Sequence, residues 1–226
     1  MHTRLIALAL ALASTAAGAA EQSLLSAAEA GDHAGAVALL KGADVNAHGP
    51  DGATALLWAV YNRDTDLAKR LLAAGADVNA KNEFGAFPLS EAAMSGDTPL
   101  IKALLEAKAD ANMANAEGET ALMVVARAGD VPAAELLVKA GADVNAVEAW
   151  GQQSPLMWAA AQKQPAMVKF LVAHGANVNA RGAVRDWQRK VIREPRPKDM
   201  NQGGFTPLLY AARTRCSLRA PHTREA

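Results

Sequence analysis

The chain has 226 residues, of which 51% are apolar and only 4% aromatic; a sequence this apolar buries a core, which excludes wholesale disorder. Its 23 basic and 23 acidic side chains cancel, so the whole is not a polycation built for nucleic acid. The single cysteine, Cys216, excludes a disulfide framework and any multi-cysteine metal site.

The first twenty residues read as an export signal. Arg4 supplies a positive start, residues 5–13 (LIALALALA) are unbroken apolar, and residues 14–20 (STAAGAA) are small. Ala17-Gly18-Ala19 fits a cleavage site, and cleavage one residue later, after Ala20, fits equally. The stretch is poor as a membrane span, because spanning takes about 20 strongly apolar residues and half of these are Ala, Gly, Ser or Thr. No cysteine stands near the cleavage point, so no bacterial lipid anchor is expected. The expectation is that residues 1–20 are removed and the rest is exported, to the periplasm or outside the cell.

From there a period of 33 organises the chain. Gly42-Ala43-Asp44-Val45-Asn46 returns as Gly75-Ala76-Asp77-Val78-Asn79, Lys108-Ala109-Asp110-Ala111-Asn112, Gly141-Ala142-Asp143-Val144-Asn145 and Gly175-Ala176-Asn177-Val178-Asn179. A second motif keeps step: Thr54-Ala55-Leu56, Phe87-Pro88-Leu89, Thr120-Ala121-Leu122, Ser154-Pro155-Leu156 and Thr206-Pro207-Leu208. Thr or Ser before Ala/Pro-Leu can cap a helix, and proline in a first turn forfeits only an amide that had no partner. A short Ala-rich helix follows, broken by Gly96-Asp97 and Gly129-Asp130. A second helix holds Pro99, Pro132 or Pro165 in its first turn. It carries the pairs Leu71-Leu72, Leu104-Leu105, Leu137-Val138 and Leu171-Val172. Gly75, Gly141 and Gly175 end it, as a left-handed cap requires; Lys108 stands where the fourth such glycine belongs. One helix pair cannot bury its apolar face alone, so the units must stack.

This pattern resembles the ankyrin repeat family over about residues 22–212. The resemblance implies an all-α solenoid of stacked helix pairs joined by β-hairpin fingers. It also implies a non-catalytic scaffold that binds a partner protein through the finger tips and the concave face of the first helices. The histidine that the family carries after its T-P-L box is absent; Leu57, Ser90, Met123, Met157 and Leu209 stand there, and an apolar contact is expected in its place. The organisation expected is a signal at 1–20, five repeats over 21–180, a basic insertion within a finger at 181–203, and an incomplete sixth repeat with an irregular tail at 204–226.

The insertion follows from spacing. The step from Ser154 to Thr206 is 52 residues, 19 more than the period. Within it Val184, Trp187, Val191 and Ile192 fall at helical spacing, with Arg185, Arg189, Lys190 and Arg193 mostly off that stripe. Residues 184–193 are therefore expected to form a short basic amphipathic helix. Residues 21–180 hold 11 basic and 19 acidic side chains, residues 181–226 hold 11 and 4, so an acidic stack carries a basic appendage. After Arg213 the pattern stops. Either residues 184–193 or a partner covers the open end, or the chain is a truncated or frame-shifted form of a longer array; truncation is favoured.

Chemistry is not in evidence. The five histidines lack metal-ligand spacing, and the sequence holds no phosphate-binding loop, nucleophile elbow or C-x-x-C pair. The aspartates Asp44, Asp77, Asp110 and Asp143 recur with the repeat and read as turn residues. Trp58, Trp158 and Tyr210 share a register just after the T-P-L box and read as packing. No enzyme activity, cofactor or metal is expected. The resemblance places the partner-binding positions at Asp51, Glu83, Phe84, Glu117, Glu119 and Trp150 on the finger tips and Tyr61, Met94 and Arg127 on the first helices; Trp187 of the insertion joins them. The partner expected is another protein, not nucleic acid, and the chain a monomer. The alternative is an adaptor for a membrane surface or anionic ligand acting through residues 184–193.

Overall fold

A computed structural model describes residues 23–185 and 202–216; the expected signal and Trp187 lie outside them. Eleven helices are described: α1 (Leu24–Glu29), α2 (His33–Leu39), α3 (Ala55–Tyr61), α4 (Thr65–Ala73), α5 (Pro88–Ser95), α6 (Thr98–Glu106), α7 (Ala121–Ala128), α8 (Val131–Lys139), α9 (Pro155–Ala161), α10 (Pro165–Ala173) and α11 (Pro207–Cys216). The longest has 10 residues, too short to stand alone in water. Burial against neighbours holds them. The odd-numbered helices form an inner row, α1 to α11, and the even-numbered an outer row, α2 to α10. Inner neighbours pack more closely than outer ones, because their contacts are made of alanine: Ala55, Ala59, Ala92, Ala93, Ala121, Ala126, Ala159 and Ala160 are all buried. That difference puts the concave side on the inner row. Leucines fill the space between rows, with Leu56, Leu71, Leu89, Leu104, Leu122, Leu137, Leu156 and Leu171 at most 1% exposed.

Most helix starts are capped by their own sequence. The Thr54 hydroxyl accepts the Leu57 amide at 3.3 Å and the Ser154 hydroxyl the Met157 amide at 3.4 Å. In α5, where Phe87 has no such group, Ser90 Oγ accepts the Phe87 amide at 3.2 Å and donates to its carbonyl at 2.7 Å. Ser90 therefore does not supply the apolar contact expected at the histidine position, whereas Leu57, Met123 and Met157 are buried there. Thr120 departs from expectation too: its hydroxyl makes no cap, and Oγ1 is buried without a hydrogen-bond partner among the described residues. Four of the five outer helices start on Asp32, Asp64, Asp97 and Asp130, whose carboxylates accept the amides of Gly35, Leu67, Leu100 and Ala133, while α10 starts on Gln164 without a side-chain cap.

Between repeats, an asparagine at each hairpin base makes the link. Asn46 Oδ1 accepts the Asp77 amide at 2.7 Å, Asn79 the Asp110 amide at 2.9 Å, Asn112 the Asp143 amide at 2.7 Å and Asn145 the Asn177 amide at 2.8 Å. Asn46, Asn112 and Asn145 also donate Nδ2 to the carbonyls of Gly75, Gly141 and Gly175. The recurring aspartates hold these asparagines in place. Asp44, Asp77, Asp110 and Asp143 each accept the amide of the asparagine two residues on, which is the turn role expected of them. Farther out, adjacent fingers touch through backbone: Glu83 N donates to Asp51 O at 2.9 Å, Ala149 N to Glu117 O at 2.9 Å and Ala183 N to Gly151 O at 2.6 Å. Gly85 and Gly118 sit at φ +82° and +81°, and a Cβ on either would lie 2.8 Å from the next finger's backbone nitrogen. Glycine there answers both conformation and closeness.

One expectation is overturned in part. Val184–Arg185 forms a strand, β1, paired antiparallel with β2 (Gln202–Gly203). The expected helix over 184–193 does not begin at Val184, because that residue already closes the base of the fifth finger; residues 186–193 lie outside the described residues. Among the described residues this is the one two-stranded sheet.

Lys108 has φ +70°, the left-handed geometry expected from its sister glycines, and Arg63 and Lys163 share that region at +58°. Gly31, Gly96 and Gly129 hold the position of Arg63 and Lys163 in the other repeats. Lys108→Gly and Lys163→Gly should each raise stability by about 1 kcal/mol in urea melts, the cost of a side chain in that region. Asn112→Ala should lower it by about 1–2 kcal/mol, since two net hydrogen bonds are lost. Probes in the second and fourth repeats should then melt apart instead of together.

Candidate functional site

The inner helices carry their side chains to the concave face at fixed offsets from the cap residue. Four residues on stand Trp58, Glu91, Val124, Trp158 and Tyr210; seven on stand Tyr61, Met94, Arg127 and Ala161. The first row is half-buried or buried, as expected of packing positions, and the second opens to solvent, with Tyr61 63% and Met94 59% exposed. Trp58 and Tyr61 meet edge to face at 5.6 Å. On the fingers Phe84 is 76% and Trp150 61% exposed. Each of these apolar groups stands in water where an alanine would cost nothing, and aromatic side chains are favoured anchors at protein interfaces.

The other expected positions divide by what they already do. Glu83 and Glu117 are exposed, and Glu119 is half-buried with Oε2 accepting from Asn115 Nδ2 at 3.2 Å. Asp51 is turned to its own loop, where Oδ1 accepts the Ala53 amide at 3.0 Å. The Arg127 guanidinium lies over the Trp158 ring, 5.1 Å from its centroid. Arg127 is thus half committed inside the molecule. Trp187 lies outside the described residues.

Tyr61, Phe84 and Met94 fall on the second and third repeats, Glu117, Glu119, Arg127 and Trp150 on the third and fourth. Between the third and fourth fingers is an open cleft of about 500 Å³ lined by Glu117, Glu119, Glu148, Trp150, Gly151, Gln153 and Trp158. Glu148 is 6% exposed. Its carboxylate accepts the amides of Trp150 at 2.5 Å, Gly151 at 2.6 Å and Gln153 at 3.1 Å. Sister fingers use an asparagine here: Asn82 accepts from Phe84 and Ala86, Asn115 from Glu117 and Glu119. The longer glutamate spans a loop with one more residue, in which Gln152 takes φ +49°. Gln153 Nε2 donates to the Tyr210 hydroxyl at 2.7 Å, which ties the cleft wall to α11. Sequence reasoning missed Glu148 and Gln153 and read Trp158 and Tyr210 as packing only. The signals were present: a 34-residue step in a 33-residue array, and glutamate where the second and third fingers have asparagine.

Burial pushes the Glu91 carboxyl above its ordinary 4.5. The folded state therefore binds that proton more tightly than the unfolded one, and stability falls as pH rises from the unfolded pKa through the folded one. Glu91→Gln should raise the melting temperature at pH 7 and leave it little changed near pH 4, by calorimetry at the two pH values.

Among the described residues no group of three His, Cys, Asp or Glu side chains could hold a metal ion, and no helix is long and apolar enough to cross a membrane. No curated protein matches the chain. The family description that does match is ankyrin repeats (3 copies), over residues 10–82 and 89–182. Such repeats generally mediate contacts between proteins and are typically non-catalytic. With most of the chain matched in sequence and the stacked helix pairs and fingers in place, the chain belongs to the ankyrin repeat family.

Proposed function

We propose that this chain is a non-catalytic scaffold of the cell envelope or extracellular space that holds a partner protein on its finger tips and concave face. The observation that carries the reading is one surface on which Tyr61, Phe84, Met94 and Trp150 stand exposed among the carboxylates of Glu83, Glu117 and Glu119. Apolar anchors supply affinity by burial, and rim carboxylates select and steer a partner of complementary charge. The site at the envelope follows from residues 1–20, where one arginine precedes an apolar run and small residues.

The test compares capture of envelope proteins by the full chain and by Tyr61→Ala, Phe84→Ala and Met94→Ala variants, quantified by mass spectrometry. A protein enriched by the wild type should be lost about tenfold or more in at least one variant whose melting temperature is unchanged, since a truncated anchor costs more than about 1.4 kcal/mol. Capture that survives all three substitutions would place the contact elsewhere. Location is tested by N-terminal sequencing of the exported protein, which should begin near Ala20 or Glu21; an intact Met1 on a membrane-bound product contradicts it.

A further inference from the structure

Glu91 is the carboxylate in a row of inner-helix positions whose other members are Trp58, Val124, Trp158 and Tyr210. It is half-buried, and burial is what moves its carboxyl; no charge or hydrogen bond offsets that burial. Among the described residues its carboxylate has neither an ion pair nor a hydrogen-bond partner. The other carboxylates of this surface have company or water. Glu119 has Asn115, Glu148 has three backbone amides and Asp51 has its own loop. Glu83 and Glu117 are exposed. Basic groups of the neighbouring repeat and finger are engaged elsewhere: the Arg127 guanidinium lies over Trp158, and Lys81 Nζ donates to the Ala114 carbonyl at 2.6 Å.

The positions around Glu91 are apolar. Helices α3 and α7 both pack on α5. On α3, Trp58 and Tyr61 meet edge to face, and on α7 Val124 is buried. Met94 follows Glu91 by three residues on α5, so it shares that face of the helix, and it stands largely exposed, as Tyr61 does. A partly desolvated carboxylate without a partner costs free energy in the free protein. Glu91 caps no helix, holds no turn and fills no core position, so the fold gives no return for that cost. A cation does, because a charge pair is stronger where water is partly excluded than at an open rim. A basic side chain brings both parts of the match: a charge for the carboxylate and an aliphatic stem for Met94 and Tyr61. An apolar or acidic guest would leave the Glu91 charge buried and unpaired.

We infer that Glu91 is a specificity-determining contact at the centre of the concave face and pairs with a basic side chain, lysine or arginine, of the docked protein, whose stem lies along Met94 and Tyr61. The inference rests on the reading that a protein docks on this face, and it names the chemistry that the docked surface presents there. Trp58 and Tyr61 keep their contact with each other and border the site without holding the charge, and Arg127 stays on Trp158.

The test uses the full chain with ¹³C-labelled glutamate and follows the side-chain carboxyl signals at pH 7 and constant ionic strength. The probes are n-butylammonium, which is the head and stem of lysine, n-butylguanidinium, which is that of arginine, and butanol, which has the stem without the charge. Either cation should shift the Glu91 signal saturably and leave those of Glu83 and Glu117, both exposed, without a saturable shift. Butanol should bind about tenfold more weakly than the better cation. In the ¹⁵N-labelled Glu91→Gln variant the cation response of the Trp58 indole N–H should weaken about tenfold while the melting temperature at pH 7 rises, so lost binding is not lost folding. The wild-type carboxyl signals carry the test alone if the variant fails to fold. No saturable shift at Glu91, equal binding of butanol, equal responses at Glu83 and Glu117, or an undiminished response in Glu91→Gln overturns the inference. The two readings fail separately. Loss of partner capture in the Tyr61, Phe84 or Met94 variants with no cation response at Glu91 removes the cation contact and leaves the docking face. A cation response at Glu91 with capture intact in all three variants removes the docking face as drawn.

Discussion

The asparagine at the base of each finger is the interaction on which the rest of the structure depends. A helix of 6 to 10 residues cannot hold itself, and a helix pair has apolar surface on two sides. Stability in such an array is a property of interfaces between units. The apolar faces of those interfaces are slippery: rows of alanine and leucine pack well in more than one register. Asn46, Asn79, Asn112 and Asn145 remove that freedom, because each reaches from its own unit to one named amide in the next. Alanine on the inner row sets how near the units come, and asparagine sets where they stop.

Once register is fixed, function follows from arithmetic. Offsets of four and seven residues from a helix cap repeat along the inner row, so whatever is placed there forms a line across the concave face. The line is mixed: Trp58, Glu91, Val124, Trp158 and Tyr210 in one row, Tyr61, Met94 and Arg127 in the next. None of these is required by the repeat, whose demands are met by glycine, alanine, leucine, aspartate and asparagine elsewhere. The scaffold positions are therefore uniform and the surface positions free to differ. A family that binds many proteins with one architecture works on that division. The cost of the free positions is visible in the structure. Glu91 is a carboxylate partly removed from water, and Trp158 Nε1 is buried without a hydrogen-bond partner among the described residues.

The repeat itself was legible in the sequence because every structural duty recurs at the same spacing. Asp44 to Asp143 were readable as turn residues, and Lys108 was readable as a lysine in a glycine's place, each by comparison with four sisters. What was not legible depends on exceptions. Arg63 and Lys163 hold left-handed geometry at a site where Gly96 and Gly129 marked the turn, yet neither residue carries a sequence signal of its own. Ser90 exchanges an expected apolar contact for a hydrogen bond, because Phe87 cannot cap the helix and a hydroxyl three residues on can. The cleft beside Trp150 needs three-dimensional facts: one additional loop residue, a buried Glu148 that gathers the loop, and a tyrosine on α11 that holds its wall. At Val184, helical spacing misled, because two residues of apolar-basic pattern serve a strand pair as well as a helix. Of the ten candidate contact residues, nine are described. Asp51 proves occupied with its own loop and Arg127 with Trp158, while Tyr61, Phe84 and Met94 stand open to solvent and Trp150 is 61% exposed.

Native-state hydrogen exchange tests the dependence on the asparagine links most directly. The amides of Asp77, Asp110, Asp143 and Asn177 lie on exposed residues, and each is bound to the side chain of the preceding repeat. If those links hold the register, these four amides exchange slowly, and their opening free energies approach that of the inner helices, because releasing them requires neighbouring repeats to part. Exchange at the rate of an unstructured peptide, with the inner helices still protected, would show that the apolar faces alone set the register and would contradict the account.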